Sequence, residues 1–207
     1  MPEYGAAYKQ KISVASGILE RDRISYFNLE VEAPDGQRTK KRMPVEVYLE
    51  IVAATNMKQR TRKLIEYYHA ERLNYAVIGT PNRLEYDLGF FVRGGDGLAD
   101  LKIIAHLYKT QVYALAKYLG LPEEVVAQTP STGTYSLAQT QEEFYFALPY
   151  QAMDRLLCAF HCGVPPETAA GPLDLRCDQV ERMYRDIKAK QAAARLHLQP
   201  GIVLAGE

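Results

Sequence analysis

Residues 56–109, NMKQRTRKLIEYYHAERLNYAVIGTPNRLEYDLGFFVRGGDGLADLKIIAHLYK, constrain the fold more than any other stretch of this chain. By periodicity they give a long helix, then a short β-rich run at Tyr75–Ile78 closed by Gly79 and Thr80. A polar loop, a glycine-rich loop, a second apolar run at Leu101–Ala105 and the start of another helix follow. Short apolar strands between helices are the pattern of a parallel sheet covered by helices. Such sheets bind ligands beyond their strand ends, which is where the ionisable residues of this stretch fall.

The rest of the chain extends this reading. Ile24–Val31 alternates and is rich in β-formers, Ala33–Gly36 supplies a turn, and Thr39–Met43 returns, which predicts a β-hairpin. Ahead of it, Lys9 and Lys11 precede an apolar run, Ile12–Leu19, with no clear period. Pro44 suits the first turn of a helix, and apolar residues recur at helical spacing from Val45 to Tyr68. That span is long for one helix, so a break is expected near Thr55–Asn56, with Arg60 and Arg62 in the first turns of the second piece. His106–Leu119 reads as an amphipathic helix ended by Gly120, and Pro122 opens a short one. A polar loop at Thr129–Thr140, helices at Glu142–Leu148, Tyr150–Phe160 and Cys177–Leu196 complete an α/β chain with a helical C-terminal half.

Basic and acidic residues balance at 25 each, so there is no global field to attract nucleic acid or an anionic membrane. The basic residues of 182–195 have acidic neighbours and read as a solvated helix face. No run approaches the ~20 apolar residues that span a bilayer, and MPEYGAAYKQK lacks a signal-peptide core. Three cysteines, Cys158, Cys162 and Cys177, suit reduced thiols in a cytoplasm. Cys158, His161 and Cys162 share a helix face, yet no second close pair exists to complete a zinc site, and thiols there read as core.

Several residues could carry chemistry. Thr80 at a strand end can hold a ribose or phosphate, and Glu85 can ligate magnesium; equally, Thr80 is an N-cap and Glu85 a first-turn acid. Three glycines among Gly94, Gly95 and Gly97 allow backbone to approach a ligand, and Asp100 stands directly before an apolar strand with Arg93 able to pair with it. Lys109 falls in the first turn of its helix, where the dipole disfavours a cation. A bound phosphate would reconcile the two; a solvated lysine is the plainer reading. Ser131 is a loop serine, and Arg60 and Arg62 point to different helix faces.

Taken jointly, Arg60-Thr61-Arg62, Thr80, Glu85, Gly95-Asp96-Gly97-Leu98-Ala99-Asp100, Lys109 and Ser131 resemble the synthetase part of the NAD synthetase family, with no gap from Arg60 to Ser131. The resemblance implies a partial doubly wound parallel sheet of the adenine nucleotide alpha hydrolase-like, or ATP pyrophosphatase, type. It implies that ATP adenylates deamido-NAD and that ammonia then gives the amide. Arg60, Arg93, Asp100 and Lys190 would bind deamido-NAD; Thr80, Lys109 and Ser131 would bind ATP; Glu85 would take Mg2+; Asp100 and Lys109 would be catalytic. It also implies a cytoplasmic homodimer. Domain boundaries on this reading are a β-hairpin region at 1–43, an α/β nucleotide and substrate core at 44–135, and a helical region at 136–207.

The departures are specific. Arg93 replaces a family lysine, Ser131 a threonine, and Ala189-Lys190 a His-Lys pair. The family's Ser-Gly-Gly-x-Asp-Ser pyrophosphate loop does not occur in the 207 residues. The expectation is therefore a C-terminal piece of a split enzyme with a partner chain supplying that loop, a shortened reading frame, or a non-catalytic nucleotide-binding subunit.

Overall fold

The computed structural model describes residues 5, 7–14, 19, 27–131, 135–146 and 148–203. Strands β1 (Lys9–Val14), β2 (Phe27–Glu32) and β3 (Arg38–Arg42) form an antiparallel sheet in that order. The predicted hairpin is β2–β3, closed by a turn in which the Gly36 N–H donates to the Ala33 carbonyl at 2.9 Å with Gly36 at φ 83°. Residues 24–26 of the predicted strand lie outside the described ones. β1 is the strand that periodicity missed. Its lysines are not a basic run but one side of a cross-strand ladder: Lys9 pairs with Glu32 and Lys11 with Glu30, while Ile12 is buried.

Helix α1 (Val45–Leu73) is continuous over 29 residues, so the break expected near Thr55–Asn56 is absent. Threonine and asparagine cost little inside a helix, and neither residue is a glycine or proline that would end one. Asn74 ends α1 in the left-handed region at φ 54°. Lys63 is the one buried residue of α1; Val45, Leu49, Met57 and Leu64 are exposed.

β4 (Ile78–Gly79) and β5 (Leu101–Lys102) pair in parallel, with Ile78 opposite Leu101. Both are shorter than predicted. Val77 is buried, but Tyr75, Ile78 and Leu101 are exposed, because only two parallel strands stand side by side among the described residues. Between them lies α2 (Arg83–Leu88), in what the sequence presents as a polar loop. Residues 103–106 are turns, so α3 (Lys109–Tyr118) starts three residues later than predicted and places Lys109 first. Gly120, at φ 69°, closes it as expected.

α4 (Glu123–Val126), a π-helical turn (Glu142–Phe146), α5 (Tyr150–His161), α6 (Pro166–Leu173) and α7 (Cys177–Leu198) complete the chain. α6 is hidden in sequence by Pro165-Pro166 and Gly171-Pro172, although proline is well suited to the first helical turn. The core is continuous from Leu84 and Leu88 through Phe146, Met153, Leu156 and Leu157 to Val180, Met183 and Ile187. Cys158 and Cys162 lie at the surface, against the expectation of core thiols. No helix among the described residues is long and apolar enough to cross a membrane.

Candidate functional site

The chain leaves β4 at Gly79 and enters α2 at Arg83, so Thr80 sits exposed at the strand end. It is not the cap of α2. Asn82 is: its Oδ1 accepts from the Glu85 N–H at 3.2 Å, and Glu85 Oε2 accepts from the Asn82 N–H at 2.8 Å. This capping box fixes Glu85 near the strand end, partly buried. Burial pushes the Glu85 pKa up and Asp96 adds to the rise; the Asn82 amide, the Lys109 charge and the Gln141 side chain oppose it. The charge of Lys109, 24 positions on in sequence, is therefore near enough to act on the Glu85 carboxyl.

Lys109 opens α3, and the helix terminus there is already occupied. Asp154, a buried residue of α5, accepts from the Lys109 N–H at 3.3 Å with one oxygen and from the Thr110 N–H at 2.7 Å with the other. The protein's own carboxylate therefore takes the place that the sequence leaves open for a phosphate. The Lys109 ammonium is held instead over two aromatic faces, Tyr113 at 5.5 Å and Tyr150 at 5.6 Å. Both rings line a cleft of about 570 Å³ with Thr110, Pro130, Glu142 and Gln151. Ser131 lies beside it, bridged in antiparallel fashion to Thr140, while the Gln141 N–H donates to the Pro130 carbonyl at 3.2 Å.

A second group gathers at the glycine-rich loop. The Arg60 Nε of α1 donates to the Arg93 carbonyl at 3.1 Å, and the Arg93 guanidinium reaches the Gln199 carbonyl at 3.2 Å. Asp96 accepts from the Val92 N–H at 2.9 Å, and burial raises its pKa against the pull of Lys63 and Arg62. Packing explains two of the glycines. A Cβ at Gly97 would fall 2.4 Å from Phe91, and one at Gly95 would fall 3.1 Å from Gln59. Asp100 accepts from the Val77 N–H at 2.7 Å and from the Tyr67 hydroxyl at 3.2 Å, while the Arg93 guanidinium expected to pair with it reaches Gln199 instead.

The expected residues therefore fall into four sets, Arg60 and Arg93 at the glycine-rich loop being one of them. Lys109 and Ser131 border the cleft, Lys109 over its Tyr113 and Tyr150 rings and Ser131 next to Pro130, while Glu85 feels the Lys109 charge. Thr80 and Asp100 stand at opposite ends of the β4–β5 pair, about 10 Å apart at strand rise. Lys190 is on α7, where it pairs with Asp186 at 2.8 Å, donates to the Tyr145 carbonyl at 3.0 Å and lies over the Tyr145 ring. Sequence reasoning missed Asn82, Gln141, Tyr150 and Asp154. For Asp154 a signal existed: a lone carboxylate among Met153, Leu156 and Leu157 on an apolar helix face requires a buried partner. Among the described residues no cluster of three or more metal-ligating side chains occurs.

Comparison with known proteins bears on this geometry. The pattern of the NAD synthase family matches residues 1–195. The NH3-dependent NAD+ synthetase of Rhizobium rhizogenes is 59% identical over 203 residues, which are 98% of this chain and 61% of that protein. That of Rhizobium meliloti is 57% identical, with 98% and 61% covered. The chain thus spans about three-fifths of the length of these relatives. Among solved structures, an NMN synthetase from Francisella tularensis superposes with a TM-score of 0.59 at 27% identity, covering 77% of this chain and 62% of its own. An NH3-dependent NAD synthetase from Campylobacter jejuni has the same fold, with a TM-score of 0.53 at 24% identity over 74% of this chain and 56% of its own.

Proposed function

This chain belongs to the NAD synthase family, and from that membership we propose that it carries the ATP and dinucleotide sites of an ammonia-dependent NAD synthetase. The observation that supports the reading best is the Lys109 ammonium seated over the Tyr113 and Tyr150 rings, which line the cleft next to Ser131, with its charge also acting on the Glu85 carboxyl. The nicotinate carboxylate of deamido-NAD attacks the α-phosphorus of ATP and pyrophosphate leaves. Ammonia then attacks the acyl carbon, AMP leaves, and the amide of NAD results. Lys109 meets the developing phosphate charge, and the Thr80 and Ser131 hydroxyls hold the nucleotide. Arg60, Arg93, Asp100 and Lys190 place the dinucleotide, with Asp100 presenting a carboxylate already oriented by Tyr67.

Glu85 is the residue that would hold Mg2+. A single carboxylate suits that ion, which takes one or two protein oxygens and completes its shell with water and substrate phosphates. The ion would neutralise the triphosphate and the departing pyrophosphate. The absent Ser-Gly-Gly-x-Asp-Ser loop is supplied, on this reading, by a further polypeptide segment. The exposed row Val45, Leu49, Met57 and Leu64 on α1 supports a homodimer, and three free cysteines suit a cytoplasmic setting.

The test is direct. The chain is incubated with deamido-NAD, ATP, Mg2+ and ammonium, alone and with a polypeptide carrying the pyrophosphate loop, and NAD and AMP are measured. Equimolar NAD and AMP, lost in Lys109→Ala, are expected. Binding of deamido-NAD with no AMP in either mixture would contradict the enzyme reading and favour a non-catalytic nucleotide-binding subunit. Including nicotinic acid mononucleotide separates a dinucleotide from a mononucleotide substrate, as the similarity to an NMN synthetase calls for.

A further inference from the structure

Strand β1 pairs with β2 along one edge and gives the other to the loop that follows Ser131. On that outer edge the Gln10 N–H donates to Ser136 Oγ at 2.9 Å, and the Gln10 carbonyl accepts from the Leu137 N–H at 3.0 Å. Two residues on in both segments, the Ile12 carbonyl accepts from Gln139 Nε2 at 2.6 Å. Residues 136–139 form no strand, so two side chains stand in for ladder bonds that a further strand would make. Ile12, Leu137 and Gln139 are buried, whereas Ser136 is exposed.

The residues that come next reach the cleft. Thr140 is bridged to Ser131, the Gln141 N–H donates to the Pro130 carbonyl at 3.2 Å, and Glu142 lines the cleft together with Pro130. Fixing 136–139 along β1 therefore fixes the return of the chain against Ser131. Gln139 does so at a cost to the fold. Its Oε1 is buried with no hydrogen-bond partner among the described residues, and an unsatisfied buried acceptor is unfavourable. A leucine would fill the place without that oxygen. It would also leave the loop anchored to β1 at Gln10 alone, a single point about which it can turn.

We propose that Gln139 and Ser136 are positioning residues of the ATP site: they clamp the loop to the β1 edge, so that the N-terminal antiparallel sheet sets where Ser131 meets the nucleotide. The proposal rests on the reading of Ser131 as an ATP contact. Ser136→Ala removes the acceptor of the Gln10 N–H at an exposed position, and Ser136→Thr restores it. Gln139→Leu removes the second clamp. It exchanges one unsatisfied buried oxygen, Gln139 Oε1, for another, the Ile12 carbonyl, so its urea midpoint stays close to wild type.

Calorimetry with Mg2+·ATP and, separately, with deamido-NAD reads the effect. Gln139→Leu and Ser136→Ala each weaken ATP binding about 3- to 10-fold, the scale of one hydrogen bond, and leave deamido-NAD binding within about twofold. Ser136→Thr binds ATP as wild type does. Gln139→Leu adds nothing in a Ser131→Ala background, because the clamp then has no hydroxyl to place. Wild-type ATP affinity in either Gln139→Leu or Ser136→Ala, equal losses of the two ligands, a Ser136→Thr chain as weak as Ser136→Ala, or additive losses in the double variant overturns the proposal. A wild-type chain that binds no ATP, or a Ser131→Ala chain that binds it fully, refutes the ATP reading of Ser131 instead, and the clamp is then judged by hydrogen exchange. Faster exchange of the Leu137 and Gln141 amides in Gln139→Leu, with the Met153 amide of α5 unchanged, upholds the clamp; any other pattern overturns it.

Discussion

Asp154 gives both carboxylate oxygens to the first two amides of α3, so the backbone at Lys109 is held by a residue 45 positions downstream. Asp154→Ala strips those amides of a buried charged acceptor and should cost about 1–3 kcal/mol, read as a lower urea midpoint. Asp154→Asn keeps one acceptor oxygen and should lose less. His161 carries a pH prediction. The Arg83 guanidinium donates to its Nδ1 at 3.2 Å, which requires an unprotonated nitrogen there, and burial holds its pKa below the ordinary 6.5; Asp87, 3.7 Å away, partly opposes this. The unfolded chain therefore takes up the proton first as pH falls. His161 contributes its full stability above about 6.5, and that contribution declines through the lowered pKa. Urea midpoints followed from about pH 8 to pH 5 should fall less in His161→Gln than in wild type. At this scale the sequence made residue types legible, Thr80, Glu85 and Lys109 among them, but not their partners. Asn82 displaced Thr80 as the cap of α2 because its side chain could close a reciprocal box with Glu85.

Among the elements, those with local signals were readable and those defined by distant pairing were not. Pro44, Pro122 and Gly120 marked helix ends correctly because a ring or a positive φ acts on its own neighbours. β1 escaped notice because its lysines make sense only opposite Glu30 and Glu32, some 20 residues on. The parallel pair came out shorter than its apolar runs, since strand length is set by the neighbour that supplies hydrogen bonds. α1 is the element with most left to explain. Leu64 is 72% exposed and Met57 65%, so neither supports this chain's own core. Leu64→Glu with Met57→Lys should leave stability within about 0.5 kcal/mol. It should also shift the mass measured by light scattering from dimer to monomer. An unchanged dimer mass would remove α1 from the interface.

At the scale of the whole molecule, a helical core built from α2, α5, α6 and α7 holds the start of α5, and the cleft lies between that start, α3, α4 and the loop at 127–130. Net charge is balanced, so anion binding depends on where the cations stand and not on how many there are. Lys109 is positioned by three aromatic or carboxylate neighbours: Tyr113 and Tyr150 beneath its ammonium, and Asp154 at its backbone. Its charge also opposes the rise that burial imposes on the Glu85 pKa. If one nucleotide occupies this cleft, the two residues share it. Calorimetry of Mg2+·ATP binding to wild type, Glu85→Gln, Lys109→Ala and the double variant is the most direct measurement. Losses of about tenfold or more in each single variant, and a double variant much less impaired than their product, are the predicted result. Strictly additive losses, or ATP affinity unchanged by either substitution, would place Glu85 and Lys109 in separate environments and contradict the shared site.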